Sequence, residues 1–250
     1  MTQWQMVLLV FFIGYLIGSV SFARIVFARL KPGVPIEPIK TPTTDGQSHL
    51  VAHAVGATNV MIVFGPKWGM LTSLVDLLKA FVPTLIFRLL FPDEPYFLIC
   101  AIAVLIGHLW PVWYRFIGGG GNSSILGMLL AISPVGLIVT HTAGMLIGRV
   151  YPVLSFLGGV VLTIPWFAWR NGIFSAETAF AIVITVLYVA GQLPEAMQMR
   201  RLKKEGHVLD IDHVMRMMKK SAATGQSGNQ IMASDDTDDT IPELNVKDSE

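Results

Sequence analysis

Long apolar runs constrain this 250-residue chain more than any other feature of its sequence. The hydrocarbon core of a membrane is ~30 Å thick, and a helix of about 20 apolar residues crosses it. Five such runs predict membrane spans near residues 5–23, 69–90, 96–114, 152–169 and 176–193. The composition agrees, because 14% of the residues are charged, whereas an ordinary soluble domain has about 25%. We therefore expect an all-α, polytopic membrane protein, and nucleic acid is not an expected partner.

The stretch 123–150 is also apolar, but Ser133-Pro134 interrupts it. Proline cannot continue a helix without the loss of a backbone hydrogen bond, so this stretch is predicted to form two helices, 123–133 and 135–150. The first of these rises only ~16 Å, which is too short for a full crossing. The prediction is therefore about seven transmembrane segments with a short fourth segment.

Lysine and arginine residues predict the orientation of these segments, because they concentrate in cytoplasmic loops. With seven segments, the basic residues of the connecting loops fall on one side of the membrane, and only Arg88 and Arg170 fall on the other. We expect a multi-pass protein of the cell (plasma) membrane, with its N-terminus outside and its C-terminus in the cytoplasm. The long loop 31–67 and the glycine-rich turn at 118–121 would then both be cytoplasmic.

Three regions are expected along the chain. Residues 1–205 are predicted to form an integral membrane domain, and its first span is expected to be retained, because no basic region or small-residue cleavage site accompanies it. Residues 206–220 are predicted to form an interfacial basic segment, although the cytoplasmic bias of basic residues explains their charge equally well. Residues 221–250 are rich in Ser, Gly, Asp and Thr and are predicted to be a disordered acidic tail.

Four consecutive glycines, Gly118 to Gly121, precede Asn122-Ser123-Ser124 at the mouth of a predicted span. Glycine exposes its backbone N–H group without a Cβ, so such a turn can form a concave anion-binding nest. The serines are predicted to cap the next helix and to place its positive dipole end beside the nest. The run carries no cation of its own, and a flexible turn is the alternative interpretation.

Other polar or small residues have both structural and functional interpretations. Gly14 and Gly18 form a small-xxx-small pair that is typical of helix packing. Asp76 and Lys79 lie three residues apart on one helical face, and mutual pairing is expected because an isolated charge in a membrane costs about 2.5–3.5 kcal/mol. His108, near the inner end of the third span, is interpreted either as a base or as a hydrogen-bonded structural residue.

The order of these motifs resembles the bacterial acyl-phosphate-dependent glycerol-3-phosphate acyltransferases, the PlsY family. The motifs are Gly18-Ser19-Val20-Ser21-Phe22, Gly56-Ala57-Thr58-Asn59-Val60, Asp76-Leu77-Leu78-Lys79, Gly107-His108-Leu109-Trp110-Pro111 and the glycine run. The resemblance covers roughly residues 8–205 and makes the membrane domain acyltransferase-like. It implies a seven-segment membrane fold and acyl transfer from acyl phosphate to the 1-hydroxyl of glycerol 3-phosphate, in phospholipid synthesis. It also implies no cofactor and no metal, and it names acyl phosphate, glycerol 3-phosphate and membrane lipids as the partners of an active enzyme.

The sequence departs from the family pattern at several polar positions. Ala52, His53 and Ala54 replace a Ser-Gly-Asn sequence, Ile62 replaces an arginine, and Gly120 replaces a lysine. After the last span, Glu195 and Gln198 occupy the positions of a His-x-x-Asn pair. Each charge-assisted contact to phosphate contributes about 1.5–3 kcal/mol, so the loss of two cations is expected to weaken phosphate binding. Arg115, Lys67 and Lys79 are the candidate replacements.

The expected substrate-binding residues come from the retained motifs, and no catalytic residue is assigned. They are Ser19, Gly56, Thr58, Asn59, His108, Gly118, Gly119, Gly120, Gly121 and Ser123. A non-catalytic relative that binds a lipid or a partner is the first alternative function. An unrelated transporter with a broken helix is the second.

Overall fold

The structure is a computed structural model that describes residues 2–150, 154–210, 216, 217 and 219. Of these, residue 154 is described by its backbone alone. Its helices are α1 (Gln3–Ser19), α2 (Phe22–Leu30), α3 (Ala57–Phe64), α4 (Pro66–Leu90), α5 (Tyr96–Leu109), α6 (Asn122–Ile132), α7 (Pro134–Gly148), α8 (Leu154–Asn171) and α9 (Ala176–Lys204). A one-turn 3-10 helix spans Val112–Tyr114, and two short strands are β1 (Ile39–Pro42) and β2 (His49–Ala52). The predicted tail at 221–250 lies outside the described residues.

The protein is an integral membrane protein in which helix α5 lies near the centre of the helix packing. Among the described residues, four helical stretches are long and apolar enough to cross a membrane: Gln3–Leu30, Pro66–Leu90, Tyr96–Tyr114 and Ala176–Lys204. Helices α6 and α7 are apolar but shorter, so the count of seven segments stays a prediction. Helix α5 is the most enclosed of the four candidate spans, and α1, α4, α6 and α9 all pack against it.

The predicted break in the fourth segment is confirmed. Helix α6 ends at Ile132 and α7 begins at Pro134, where the missing N–H of proline costs nothing because first-turn amides have no helical partner. Between them, the Ser133 hydroxyl oxygen accepts a hydrogen bond from the Gly136 amide at 3.2 Å. The same hydroxyl accepts a second one from Trp166 Nε1. The break is therefore a capped helix boundary that α8 also contacts.

The predicted packing role of Gly14 and Gly18 is also confirmed. A Cβ built on Gly18 would lie 2.2 Å from the Val104 carbonyl oxygen, and one on Gly14 would lie 2.9 Å from the Ala103 Cβ. From the opposite helix, a Cβ on Gly107 would lie 2.2 Å from the Tyr15 carbonyl oxygen. Glycines on both helices thus let the backbones of α1 and α5 approach each other closely, as small residues do in membrane helix pairs.

The prediction of an all-α chain is wrong for the loop between α2 and α3. Strands β1 and β2 form an antiparallel hairpin there, with Ile39 opposite Ala52. Helix α9 runs eleven residues beyond the predicted span end at 193, to Lys204. The chain then turns back along the hairpin, where the Thr44 amide donates to the Val208 carbonyl oxygen at 2.7 Å. This contact explains why α9 and the hairpin enclose one region of the molecule.

Candidate active site at the glycine turn

Two cavities adjoin at the glycine turn. The first cavity, of about 370 Å³, is lined by α3, α4, α9, the hairpin and the start of α6. The second cavity, of about 400 Å³, is lined mostly by apolar side chains of the α5–α6 connection and α9. Ala54 and Glu195 border both cavities, so the turn and these two residues separate one space from the other.

The structure brings most of the predicted site residues together. Those that line the first cavity are Gly56, Thr58, Asn59, His108, Gly120, Gly121 and Ser123. Gly118 and Gly119 line the second cavity. Ser19 borders neither of them; it is fully buried at the end of α1, where Lys79 Nζ donates to the carbonyl oxygens of Gly18 and Val20.

Glycine is required by geometry at two positions of the turn. A Cβ on Gly118 would lie 2.0 Å from the His108 carbonyl oxygen. Gly121 has φ +87°, in the left-handed region that side chains disfavour. At Gly120, by contrast, the only atom within 4 Å of a built Cβ is Gln192 Nε2, at 4.0 Å. The position where the family pattern has lysine is therefore the one with room for a side chain.

Three carbonyl groups in and next to the turn accept hydrogen bonds from protein donors. Arg24 Nη2 donates to the Ile117 carbonyl oxygen at 2.9 Å, and the Val55 amide donates to that of Gly118 at 2.8 Å. The Gly120 carbonyl oxygen accepts from Gln192 at 2.9 Å. Three oxygens that would repel an anion are thereby held by their own donors.

The predicted capping of α6 by serine is wrong. Gly121 is the N-cap residue and makes no side-chain capping bond. The Ser123 hydroxyl instead pairs with that of Ser73 at 2.8 Å, and the Ser124 hydroxyl donates to the Asp76 carbonyl oxygen. Among the described residues, no side chain caps the first amides of α6, so the positive end of the helix stays open to an anion.

Asn59 lies between the first cavity and a smaller neighbouring cavity. Its Oδ1 accepts a hydrogen bond from the Gly56 amide at 3.0 Å, which fixes the side chain at the start of α3. Asn59 is 4% exposed, and its Nδ2 donates to no atom of the described residues. A buried amide donor without a partner costs about 1–3 kcal/mol, and this Nδ2 atom is enclosed by protein on all sides.

The predicted pairing of Asp76 with Lys79 is confirmed, with an Oδ1–Nζ distance of 2.9 Å. His108 is 7% exposed, and its Nδ1 lies 3.8 Å from the same carboxylate oxygen. Asp76 and His108 both line the first cavity, whereas Lys79 does not. Lys79 is therefore occupied by Asp76 and by the end of α1, and it does not replace the missing cations.

Neither of the other two candidate cations reaches the cavities. Lys67 and Arg115 are exposed and line neither cavity, and the described walls of both cavities include no lysine or arginine. Ile62, at the position of the family arginine, is 4% exposed and instead borders a small cavity of about 30 Å³ with Phe27 and Met217. Its side chain serves apolar packing.

Sequence reasoning missed Tyr188 and Gln192, which line the first cavity from α9. It named Glu195 and Gln198 only as departures from a pattern; the structure places Glu195 at both cavities and Gln198 at the second. The spacing 188, 192, 195 follows one helical face, and this periodicity is the signal that could have found them.

Fold and site together define an integral membrane protein with a glycine turn and the uncapped start of α6 between two cavities. A profile of the family described as glycerol-3-phosphate acyltransferase matches residues 8–203. The chain belongs to this family, which confirms the resemblance read from its motifs.

Curated relatives named glycerol-3-phosphate acyltransferase align with most of this chain. The one from Anaeromyxobacter sp. is 33% identical and covers 69% of this chain and 84% of its own length. The one from Methylococcus capsulatus is 37% identical, and its match covers 62% of this chain and 73% of its own length.

Two solved structures of PlsY (YgiH), an integral membrane glycerol 3-phosphate acyltransferase, share the fold. The glycerol 3-phosphate form superposes with a TM-score of 0.64 at 26% identity, over 82% of this chain and 96% of that one. The lysophosphatidic acid form gives a TM-score of 0.62 at 27% identity, over 81% and 94%.

Proposed function

We propose that this protein is a membrane acyltransferase that transfers an acyl chain from acyl phosphate to glycerol 3-phosphate in phospholipid synthesis. The observation that carries the proposal is the glycine turn, where protein donors bind the Gly118 and Gly120 carbonyl groups while the start of α6 is uncapped. Relatives and solved neighbours carry the name of this activity. Glycerol 3-phosphate is accordingly the proposed acceptor.

The two cavities give the substrates separate places. Phosphate oxygens bind the amides of Gly120, Gly121 and the first turn of α6 in the first cavity. Gly56 and Thr58 border the polar part of this cavity. The acyl chain enters the second cavity, whose walls include Leu109, Trp110 and Phe116.

The reaction needs little acid–base chemistry from the protein. A glycerol hydroxyl oxygen attacks the acyl carbon of acyl phosphate, the carbon–oxygen bond to phosphate breaks, and an ester bond forms. The departing phosphate accepts the hydroxyl proton. The protein contributes proximity and fixed dipoles, which lower the barrier because binding has already ordered the reactants.

A direct assay tests this function. Purified protein incubated with palmitoyl phosphate and radiolabelled glycerol 3-phosphate is expected to form lysophosphatidate. Product no greater than that of a boiled control would contradict the proposed enzyme and would leave lipid or partner binding as the alternative function. Complementation of a bacterial strain that lacks its own acyltransferase of this class tests the same proposal in cells.

The orientation of the chain is part of the proposal. The N-terminus lies outside and the C-terminus in the cytoplasm, with the glycine turn and the hairpin on the cytoplasmic side. One observation supports the placement of four helix ends on a common side of the membrane. A cavity of about 190 Å³ brings together Arg88, Ser133, Arg170 and Glu177, which lie at helix ends that a seven-segment topology assigns to the same, outer side.

A further inference from the structure

Gln192 lies on α9 one helical turn before Glu195, and the proposed mechanism does not use it. Its Nε2 donates to the Gly120 carbonyl oxygen at 2.9 Å. The side chain is partly buried and lines the first cavity together with Gly120 and Gly121. It is therefore a polar residue that contacts the anion-binding turn from a different helix.

This hydrogen bond fixes the direction of an amide as well as of a carbonyl. The carbonyl and the N–H group of one trans peptide point in opposite directions, and the described residues contain no cis peptide bond. Binding of the Gly120 carbonyl to Gln192 consequently turns the Gly121 N–H away from the Gln192 side chain. Within the described part of the chain, the amides of Gly120 and Gly121 donate to no protein atom, so they are available to a ligand.

Gln192 also lies beside the space that a side chain at position 120 would enter. Its Nε2, at 4.0 Å, is the only atom of the described residues within 4 Å of a Cβ built on Gly120. Gly120 stands where the family pattern has lysine. At position 120, the polar side chain that borders the first cavity is therefore Gln192 of α9, and the turn itself contributes none.

We propose that Gln192 is the positioning residue of the anion site: it fixes the Gly120–Gly121 peptide so that the turn presents the Gly121 amide to a phosphate group. The inference rests on the proposed function only in naming the anion as a phosphate. Without the Gln192 donor, the peptide is free to rotate. Its carbonyl oxygen can then face the anion and repel it.

The test compares variants at this position with a matched change elsewhere on α9. Gln192→Leu removes the donor at similar size, Gln192→Glu replaces the amide by an isosteric carboxylate, and Gln192→Lys keeps a donor and adds a cation. Thr185→Val is the control, because the Thr185 hydroxyl donates only to the Ala181 carbonyl oxygen of its own helix and lines neither cavity. Binding of inorganic phosphate and of glycerol 3-phosphate is measured by calorimetry on purified protein, together with the KM and kcat of acyl transfer.

We expect Gln192→Leu and Gln192→Glu to weaken binding of both anions about 10-fold or more, the loss of roughly one charge-assisted hydrogen bond. KM for glycerol 3-phosphate should rise by a similar factor with a smaller change in kcat, and Gln192→Lys should restore binding. If Gln192→Leu and the Thr185→Val control bind phosphate equally well, the proposal is overturned. It is also overturned if the wild-type protein binds no phosphate, or if Gln192→Lys binds as weakly as Gln192→Leu.

The calorimetric measurement of phosphate binding tests this inference separately from the proposed function. Wild-type protein that binds phosphate in a Gln192-dependent way but makes no lysophosphatidate would refute the acyltransferase and support the positioning role. Active protein whose KM is insensitive to Gln192→Leu would support the acyltransferase and refute the positioning role.

Discussion

A Cβ at Gly118 would lie 2.0 Å from a backbone oxygen, whereas one at Gly120 would lie 4.0 Å from a side-chain tip. The first contact forces two backbone segments apart, and the second is an ordinary van der Waals distance. We therefore expect Gly118→Ala to reduce the free energy of unfolding by about 1–3 kcal/mol, the usual cost of overpacking. Gly120→Ala is the matched control and should change it by less than about 1 kcal/mol. Denaturant titration in detergent checks both values, and equal losses would contradict this account of the turn.

The same space at Gly120 makes a cation there structurally acceptable. Gly120→Lys is expected to lower KM for glycerol 3-phosphate about 10-fold, because one charge-assisted contact to phosphate contributes roughly 1.5–3 kcal/mol. Gly120→Met is the uncharged control with a similar stem. Ile62→Arg should give no such gain, because Ile62 borders the small apolar cavity with Phe27 and Met217. A lower KM in Ile62→Arg would show that this position does reach the substrate.

The ion pair of Asp76 and Lys79 is the most enclosed pair of opposite charges among the described residues, with both side chains under a tenth exposed. Lys79→Met leaves the Asp76 carboxylate without its partner and removes a donor from the end of α1. We expect a loss of about 3–5 kcal/mol in the free energy of unfolding. The double variant Asp76→Asn with Lys79→Met should lose less than the two single changes added together. Strictly additive losses, measured by denaturant titration, would contradict the pairing.

At the scale of elements, an ionic contact links the hairpin to the segment after α9. Asp45 Oδ2 lies 2.7 Å from His207 Nδ1. Hydrogen bonds from Thr43 and from His207 lower the pKa of Asp45 to about 2. A carboxyl group whose pKa falls below its unfolded value of about 3.9 stabilises the folded contact above that pH, and the stabilisation disappears as the pH falls through the folded pKa.

We therefore expect the contact between the hairpin and the segment after α9 to weaken as the pH falls from about 4 to about 2. Hydrogen exchange of the Thr44 and Asp210 amides, which donate to Val208 and Pro42, reports the change once it is corrected for intrinsic rates. Asp45→Asn should lose this pH dependence. An unchanged pH profile in that variant would show that another group controls the contact.

The elements that the sequence predicts correctly depend on local chemistry. Proline at position 134 ends one helix and begins the next wherever the neighbours lie, and paired glycines on α1 indicate close packing without naming the partner. The hairpin has one local signal that the prediction missed, the Asp45-Gly46 turn, where Gly46 has φ +69°. Its position against α9 depends on a distant residue: the Gln198 amide contacts the Val51 amide and the His49 carbonyl oxygen of β2. Long-range contacts of this kind have no signature in a local window.

The residues of the candidate site likewise divide into those that the local sequence predicts and those that depend on distant contacts. The glycine turn and His108 belong to contiguous motifs, so the sequence predicts them together. Gln192 joins the turn from a position 72 residues further along the chain. Its contact depends on how α9 packs against α5, which no spacing within the turn specifies. The missing lysine at Gly120 was visible in the sequence, whereas the donor that faces the same place was not.

At the scale of the whole molecule, the proposed topology predicts which loops face the cytoplasm. The cavity of about 190 Å³ joins the ends of α4 and α8, the break between α6 and α7, and the start of α9. The hairpin, the glycine turn and the segment after α9 meet at the other end. A chain with seven crossings alternates between these two ends, and a chain with only the four long helices would leave the ends of α7 and α8 on undefined sides.

Single cysteines placed in the loops decide between these topologies. Cys100 is the one natural cysteine and is fully buried, so an impermeant maleimide has little background. In intact cells we expect Asp93→Cys and Arg170→Cys to be labelled. Gln47→Cys and Arg149→Cys should be labelled only after the membrane is permeabilised, because α4 separates Gln47 from Asp93 and α8 separates Arg149 from Arg170. Labelling of Gln47→Cys in intact cells would reverse the orientation and place the glycine turn outside, away from cytoplasmic acyl phosphate. Equal labelling of the Arg149 and Arg170 variants would refute a crossing by α8 and with it the count of seven.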